Sequence, residues 1–326
     1  MEEKRTWSKG NLIRSIVIFA IVAFLALLPI WGGDYIVNIC LLIMLYMSLG
    51  HMWNLLAGYS GLVSLGQQSF VGLGGYALAM ISQVYKLPLA LGFLVAGVVS
   101  VLFALIISVP IFKMKNVYFT IGTWIVSECL RVFFSTWKFV NYSTGYNISA
   151  TYRLAPAVIY YVALGVGLCT TAVVWLILRS RFGLGLMAMR DNEPAAEIRG
   201  IQLYRTKLMC FLISAFLTGI TGAALYLNIA YIKPEAAFSI DWTISMVFVV
   251  IIGGIGTMEG PIVGAIIFVL LRQYLYSFPG FSMLILGGVA IVLMILAPKG
   301  IMGYLNGRLG WDLLSVRRRI RPVFDK

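Results

Sequence analysis

Ten apolar runs, at roughly 12–30, 35–57, 66–84, 88–111, 117–135, 157–178, 207–229, 242–255, 260–278 and 282–297, fill most of the 326-residue chain. This succession limits the possible folds more than any other feature. About 20 apolar residues in a helix span the ~30 Å hydrocarbon core of a bilayer. The chain is 61% hydrophobic and 11% charged, with a mean hydropathy of +0.94; a soluble domain holds about 45–50% apolar and about 25% charged residues. A soluble core cannot hide that much apolar surface, so the solvent is lipid. In lipid every backbone polar group must be paired internally, which leaves helices or a closed barrel, and these runs are too long and continuous for barrel strands. The expected fold is all-α: a polytopic membrane protein of about ten transmembrane helices in a single transmembrane domain over 1–326.

The net charge of +13 falls in clusters: Lys4, Arg5, Lys9 and Arg14; Lys113 and Lys115; Arg179 to Lys207; and Arg308 to Lys326. Clustered Lys and Arg mark cytoplasmic loops. The loops 112–116 and 179–206 and the basic tail 299–326 are therefore expected inside, with both termini cytoplasmic. The cation-poor loops 31–34, 136–156 and 230–241 are expected outside. The same clustering speaks against nucleic acid as a partner. The first apolar run has no A-x-A-like site before Trp31 and reads as an uncleaved span. Cys40, Cys129, Cys169 and Cys210 all lie inside apolar runs, at spacings that suit neither a metal site nor a disulfide framework.

One stretch at membrane depth breaks the pattern. "GYSGLVSLGQQSFVGLGGY", Gly58 to Tyr76, packs six glycines, three serines and two glutamines into nineteen residues. Each glycine costs a helix about 1 kcal/mol relative to alanine, and the polar side chains supply partners for backbone groups freed by a break. Non-helical backbone at this depth lines a cavity or is buried in protein, and a broken helix beside a passage is a common transporter feature. Candidate pathway residues are Asn54, Gly61, Ser64, Gly66, Gln67, Gln68 and Asn228. A second glycine-rich stretch, "GGIGTMEGPIVGA", runs from Gly253 to Ala265. Gly75-xxx-Ala79, Ala215-xxx-Gly219, Thr218-xxx-Gly222 and Gly260-xxx-Gly264 suit close helix approach. Glu128 and Arg131 share one helical face, either as a packed ion pair or as part of a pathway. His51 reads as a packing or hydrogen-bonding residue.

The long inner loop, "RSRFGLGLMAMRDNEPAAEIRGIQLYRTK" (Arg179 to Lys207), predicts a short helix over 191–200. Asp191 or Asn192 caps it, Glu193 and Pro194 suit its first turn, and Gly200 suits a left-handed close. Two turns are not stable alone, so this helix must lie against its own protein or a partner.

"RDNEPAAEIRGI" resembles the coupling loop of ABC importer permeases of the branched-chain amino acid type. "NLLAGYSGLVSLGQQSFVGLGGYALAM" (Asn54 to Met80) and "GGIGTMEGPIVGA" are similar to two further markers of that family. The three occur in order and cover roughly 35–300, and the overall likeness is to the LivM type. The resemblance implies a transport subunit, not an enzyme, in the bacterial cytoplasmic (inner) membrane. It implies a second permease subunit (LivH-like), two cytoplasmic ATPase subunits (LivG- and LivF-like) and an extracytoplasmic solute-binding protein. It also implies an ATPase-coupling role for Arg190, Asp191, Asn192, Glu193, Ala195, Ala196, Gly200 and Ile201. The chain holds no GxxxxGK[ST] and no Gly-Lys dipeptide, so it forms no Walker A cradle; no cofactor is expected on it, and ATP belongs to partner subunits. The same architecture moving urea, short amides or other amino acids is the alternative. An ion-coupled secondary transporter would need midplane carboxylates, and Glu128 stands nearly alone.

Overall fold

The computed structural model describes residues 2–275 and 300–309, with positions 285, 287, 288, 291, 292 and 295 between them. The expected tenth segment, 282–297, is described only at those isolated positions, and the tail from 310 onward lies outside the described residues. The described chain is a helical bundle with one two-stranded sheet. Its helices are α1 (Glu2–Trp31), α2 (Asp34–Asn54), α3 (Gln68–Gln83), α4 (Leu89–Ile111), α5 (Val117–Thr136), α6 (Ser149–Tyr152), α7 (Pro156–Arg179), α8 (Arg181–Asp191), α9 (Glu193–Ile198), α10 (Leu203–Ile229), α11 (Pro234–Ala237), α12 (Asp241–Gly253), α13 (Gly260–Leu275) and α14 (Gly300–Leu309).

Six helical stretches among the described residues are long and apolar enough to cross a membrane: Asp34–Tyr59, Leu89–Ile111, Val117–Thr136, Pro156–Arg179, Leu203–Ile229 and Pro234–Gly253. Ile16–Trp31 and Gly260–Leu275 are shorter apolar helices. α3 is shorter than a span, its sixteen residues covering about 24 Å, because it starts inside the bundle after the break.

The centre is built by close approach. α3 packs on α4 and α10, while α2 packs on α7, α12 and α13. A Cβ on Gly74 would lie 2.7 Å from the Gly219 carbonyl carbon, and one on Gly222 would lie 2.6 Å from the Val71 Cα. Only glycine permits these backbones to touch, as small-residue packing in lipid requires. Pro29 in α1 shows the other rule of lipid, that freed backbone groups are re-satisfied. Proline has no N–H to give the Leu25 carbonyl, and the Tyr160 hydroxyl of α7 donates to that oxygen instead, at 2.8 Å.

The loops sort into two ends. β1 (Tyr146–Asn147) and β2 (Tyr231–Ile232) pair antiparallel, with Tyr146 opposite Ile232 and Asn147 opposite Tyr231. The loops 136–156 and 230–241, both assigned outside because they carry few cations, are thus joined to each other. At the opposite end, α8 and α9 meet the 112–116 loop and the 254–259 turn.

Candidate functional site

The short helix predicted over 191–200 is α9, and both its ends are closed by local chemistry. The Asn192 side-chain oxygen accepts from the Ala195 N–H at 3.0 Å, an N-cap worth ~1 kcal/mol. At the other end Gly200 takes φ +84°, the Ile201 N–H donates to the Ala196 carbonyl (3.1 Å), and the Gly200 N–H donates to the Glu197 carbonyl (2.9 Å). These are the two bonds of a Schellman close. Glu193 pairs with Lys207 at 2.7 Å, anchoring α9 to the start of α10. The loop also holds a helix that the sequence reading did not contain: α8, whose Leu186 and Met189 are buried against the core. Ala196 is 2% exposed and packs into the same cluster, whereas Ala195 is exposed and Ile198 is 89% exposed. The two alanines therefore do not share one outward face. The outward apolar residue is Ile198.

Arg190, at the end of α8, ties this loop to the membrane core. Its Nε and Nη2 donate to Asp191 Oδ1 at 3.0 and 2.9 Å, which holds the guanidinium so that Nη1 donates to the Gly58 carbonyl at 2.8 Å. The Gly58 carbonyl is free to accept because the second span ends there. After α2 the chain makes a π turn, Leu55–Tyr59, and Gly61 at φ +76° stops the helix. The last carbonyls of a helix lack intrahelical partners, and a cation at that end suits the helix dipole.

On the other side of Gly58 sits the second glycine-rich stretch. The Gly256 N–H donates to Asn54 Oδ1 at 2.8 Å, and Asn54 Nδ2 donates to the Thr257 carbonyl at 2.9 Å. Asn54, placed among pathway candidates from sequence, is a buried clamp on the 254–259 turn. A Cβ on Gly256 would lie 3.2 Å from the Gly58 carbonyl oxygen and 3.3 Å from Arg190 Nη1. All three sequence markers thus converge on Gly58.

Beyond it the chain runs non-helically through 61–67 before α3 begins. Its backbone partners come mostly from elsewhere. Trp53 Nε1 donates to the Ser64 carbonyl (2.9 Å), and the Thr120 hydroxyl donates to the Val63 carbonyl (2.8 Å). The Leu65 N–H donates to the Thr123 hydroxyl (3.1 Å), and the Ser127 hydroxyl reaches the Gly66 carbonyl (3.5 Å). Ser64 accepts from the Gly66 N–H at 3.2 Å. Gln67 Nε2 donates to Ser214 (3.3 Å), and its Oε1 accepts from Thr218 (3.2 Å). The Gln68 N–H donates to Thr243, whose hydroxyl donates back to Gln68 Oε1. Gln68 Nε2 is buried without a partner. The break is real, and most of it is buried in protein. Gly61 alone of the pathway candidates borders an open cavity among those described, one of about 780 Å³ between the 112–120 region, Glu193 and Lys207.

A family model described as branched-chain amino acid transport system / permease component matches residues 35–297, a stretch containing all three converging segments. The chain belongs to this permease family. It is 27% identical to the high-affinity branched-chain amino acid transport system permease protein LivM of Escherichia coli (strain K12) over 315 residues, 86% of this chain and 74% of that protein. LivM of Salmonella typhimurium is 25% identical, covering 89% and 75%. A shorter match, 30% identical over 101 residues, links it to the ribose import permease protein RbsC of Haemophilus influenzae, covering 29% and 31%. No solved structure matches the chain. It is therefore a multi-pass membrane transport subunit of the ABC permease type.

The remaining candidates of the permease stand apart from the node. Arg131 Nε and Glu128 form an ion pair at 2.7 Å, each about a third exposed, and Glu128 borders an apolar surface hollow on α5. Asn228 is half-buried near the end of α10 that leads into β2. His51 is fully buried, and both ring nitrogens lack partners, so it packs without hydrogen bonding. Sequence reasoning missed Thr120, Thr123 and Ser127, although hydroxyls at i, i+3 and i+7 on one helical face were a usable signal.

Proposed function

We propose that this chain is one of two membrane-spanning subunits of an ATP-driven importer of branched-chain amino acids. The end carrying α8 and α9 faces the cytoplasm, where cations concentrate, and both termini lie on that side. The second permease subunit completes the pathway, two cytoplasmic ATPase subunits seat α9, and an extracytoplasmic binding protein delivers solute. The observation that carries this reading is the Arg190 Nη1 bond to the Gly58 carbonyl. It gives force applied at an exposed helix a direct route into a broken span. Ile198 and Ala195 offer a partner a small apolar face, and the cavity beside Glu193 leaves room for it.

The test is uptake of labelled leucine by vesicles holding the four-subunit complex with its binding protein. The reading expects uptake that requires internal ATP and is abolished by Ile198→Asp, with loss of ATPase co-purification and normal membrane insertion. Uptake driven by an ion gradient without ATP would overturn it. ATP-driven uptake of urea but not leucine would replace the solute and keep the machine.

A further inference from the structure

At the end opposite the 254–259 turn, a cavity of about 320 Å³ lies among α2, α11, α12 and α13. Its lining includes Tyr46, Trp242, Asp241 and Arg272, with Lys233 and Glu235. The volume is at the low end of the ~300–1,000 Å³ usual for small-molecule sites. Asp241 opens α12 and Arg272 lies on α13, each twelve residues from the end of its helix at that turn. At 1.5 Å per residue that is about 18 Å from the turn, which puts both residues, each exposed, at the end carrying the 230–241 loop.

Lys233 and Glu235 neutralise each other at 3.6 Å. Asp241 and Arg272 make no ion pair among the described residues. The Asp241 carboxylate accepts from the Ser239 hydroxyl at 2.8 Å, and Arg272 Nη1 donates to the Tyr46 hydroxyl. The Arg272 guanidinium carbon is 5.6 Å from the Tyr46 ring centroid, and the Tyr46 and Trp242 rings are 6.3 Å apart. One small cavity therefore presents a full positive charge, a full negative charge and an aromatic wall. A sugar's hydroxyls can hydrogen-bond to such groups but neutralise neither charge. A solute bearing an ammonium and a carboxylate on one carbon neutralises both.

We propose that this cavity binds the zwitterionic head of a free α-amino acid, with the carboxylate on Arg272, the ammonium on Asp241 and an apolar side chain against Trp242. The proposal rests on the transport reading above and adds a binding site to it, within the permease itself.

The test measures equilibrium binding of labelled leucine to the four-subunit complex in lipid nanodiscs without binding protein, competed by leucinamide, 4-methylpentanoate and ribose. Leucinamide lacks the carboxylate and 4-methylpentanoate lacks the ammonium. Wild type is expected to bind leucine saturably, both analogues at least ten-fold more weakly, and ribose not at all. Arg272→Gln and Asp241→Asn should each weaken leucine binding by about ten-fold or more, as expected for losing a hydrogen bond to a charged group. Arg272→Gln should also lose the preference for leucine over leucinamide only, and Asp241→Asn the preference over 4-methylpentanoate only. A misfolded variant does not produce that crossed pattern. Wild-type leucine affinity in both variants, no saturable binding by wild type, or loss of a partner subunit in the variants would each overturn the site. ATP-driven leucine uptake by wild-type vesicles would then still stand for the transport reading, whereas uptake of ribose in its place would remove both.

Discussion

Gly58→Ala should cripple this permease through a single methyl group. A Cβ built on Gly58 lies 2.7 Å from the Gly256 nitrogen and 3.0 Å from its Cα, and closer still to Asn54 Oδ1. The Gly256 backbone is fixed by its turn, so the Asn54 side chain must give way. Doing so surrenders its 2.8 Å bond from the Gly256 N–H and its 2.9 Å bond to the Thr257 carbonyl. Overpacking costs about 1–3 kcal/mol, and each polar group left unsatisfied in a buried place costs about 1–3 kcal/mol more. With two groups unsatisfied the total is about 3–9 kcal/mol, well above the ~1 kcal/mol that alanine gains over glycine in a helix. Gly165→Ala is the control, because a Cβ there meets nothing within 4 Å. The assay is the thermal midpoint of the purified complex, followed by size-exclusion chromatography, with leucine uptake alongside. Gly58→Ala should lower both and Gly165→Ala neither. Asn54→Ala removes the atom that Gly58→Ala strikes, so the double variant should be less destabilised than the sum of the singles, by about 1–3 kcal/mol. Strict additivity, or a wild-type midpoint in Gly58→Ala, would refute the steric argument.

Arg190→Lys keeps the charge but loses the planar fork that reaches Asp191 and Gly58 at once; uptake should fall several-fold with membrane level unchanged, and Arg190→Ala should fall further. Gly200→Val forces a β-branched residue into φ +84°, at a cost of about 1–3 kcal/mol, and should reduce ATPase co-purification without affecting insertion. Ala196→Glu places a carboxylate in a site that is 2% exposed; lower protein abundance is expected, whereas Ile198→Asp should leave abundance normal. Cysteines introduced at Asn147 and Glu235 should react with an impermeant maleimide added outside intact cells, and one at Glu197 should not. Labelling at position 197 under those conditions would invert the assignment of sides.

Local chemistry was readable and distant pairing was not. The break after Gly58 could be anticipated because glycine density and polar side chains at membrane depth both act where they stand. Asn192 and Gly200 were identifiable for the same reason, since caps depend on neighbours three residues away. α8 escaped because Gly183 and Gly185 disguise a helix whose buried residues, Leu186 and Met189, stand three apart. The clamp from Asn54 to Gly256 and Thr257 joins residues about 200 apart in sequence, and no periodicity encodes it. Ala195 and Ala196 show the limit within a single helix. Adjacent residues point about 100° apart, so their shared smallness could not say which one faces the core.

The hydroxyl ladder on α5 also sets an order of assembly during synthesis. The Val63 carbonyl and the Leu65 amide wait for Thr120 and Thr123, which lie 57 and 58 residues farther along the chain. At about 5–20 residues per second, a nascent chain takes roughly 3–12 s to cover that distance. During that interval the Val63 carbonyl and the Leu65 amide lack these partners, and in lipid an unpaired backbone group costs several kcal/mol. The first two spans must therefore be held in a wet or protein-lined place, such as the insertion machinery, until α5 arrives. Ribosome-bound chains truncated before residue 117 should remain crosslinkable to that machinery through a probe at Val63. Chains extending well past 136 should not, and equal crosslinking at both lengths would show that the segment settles without its ladder.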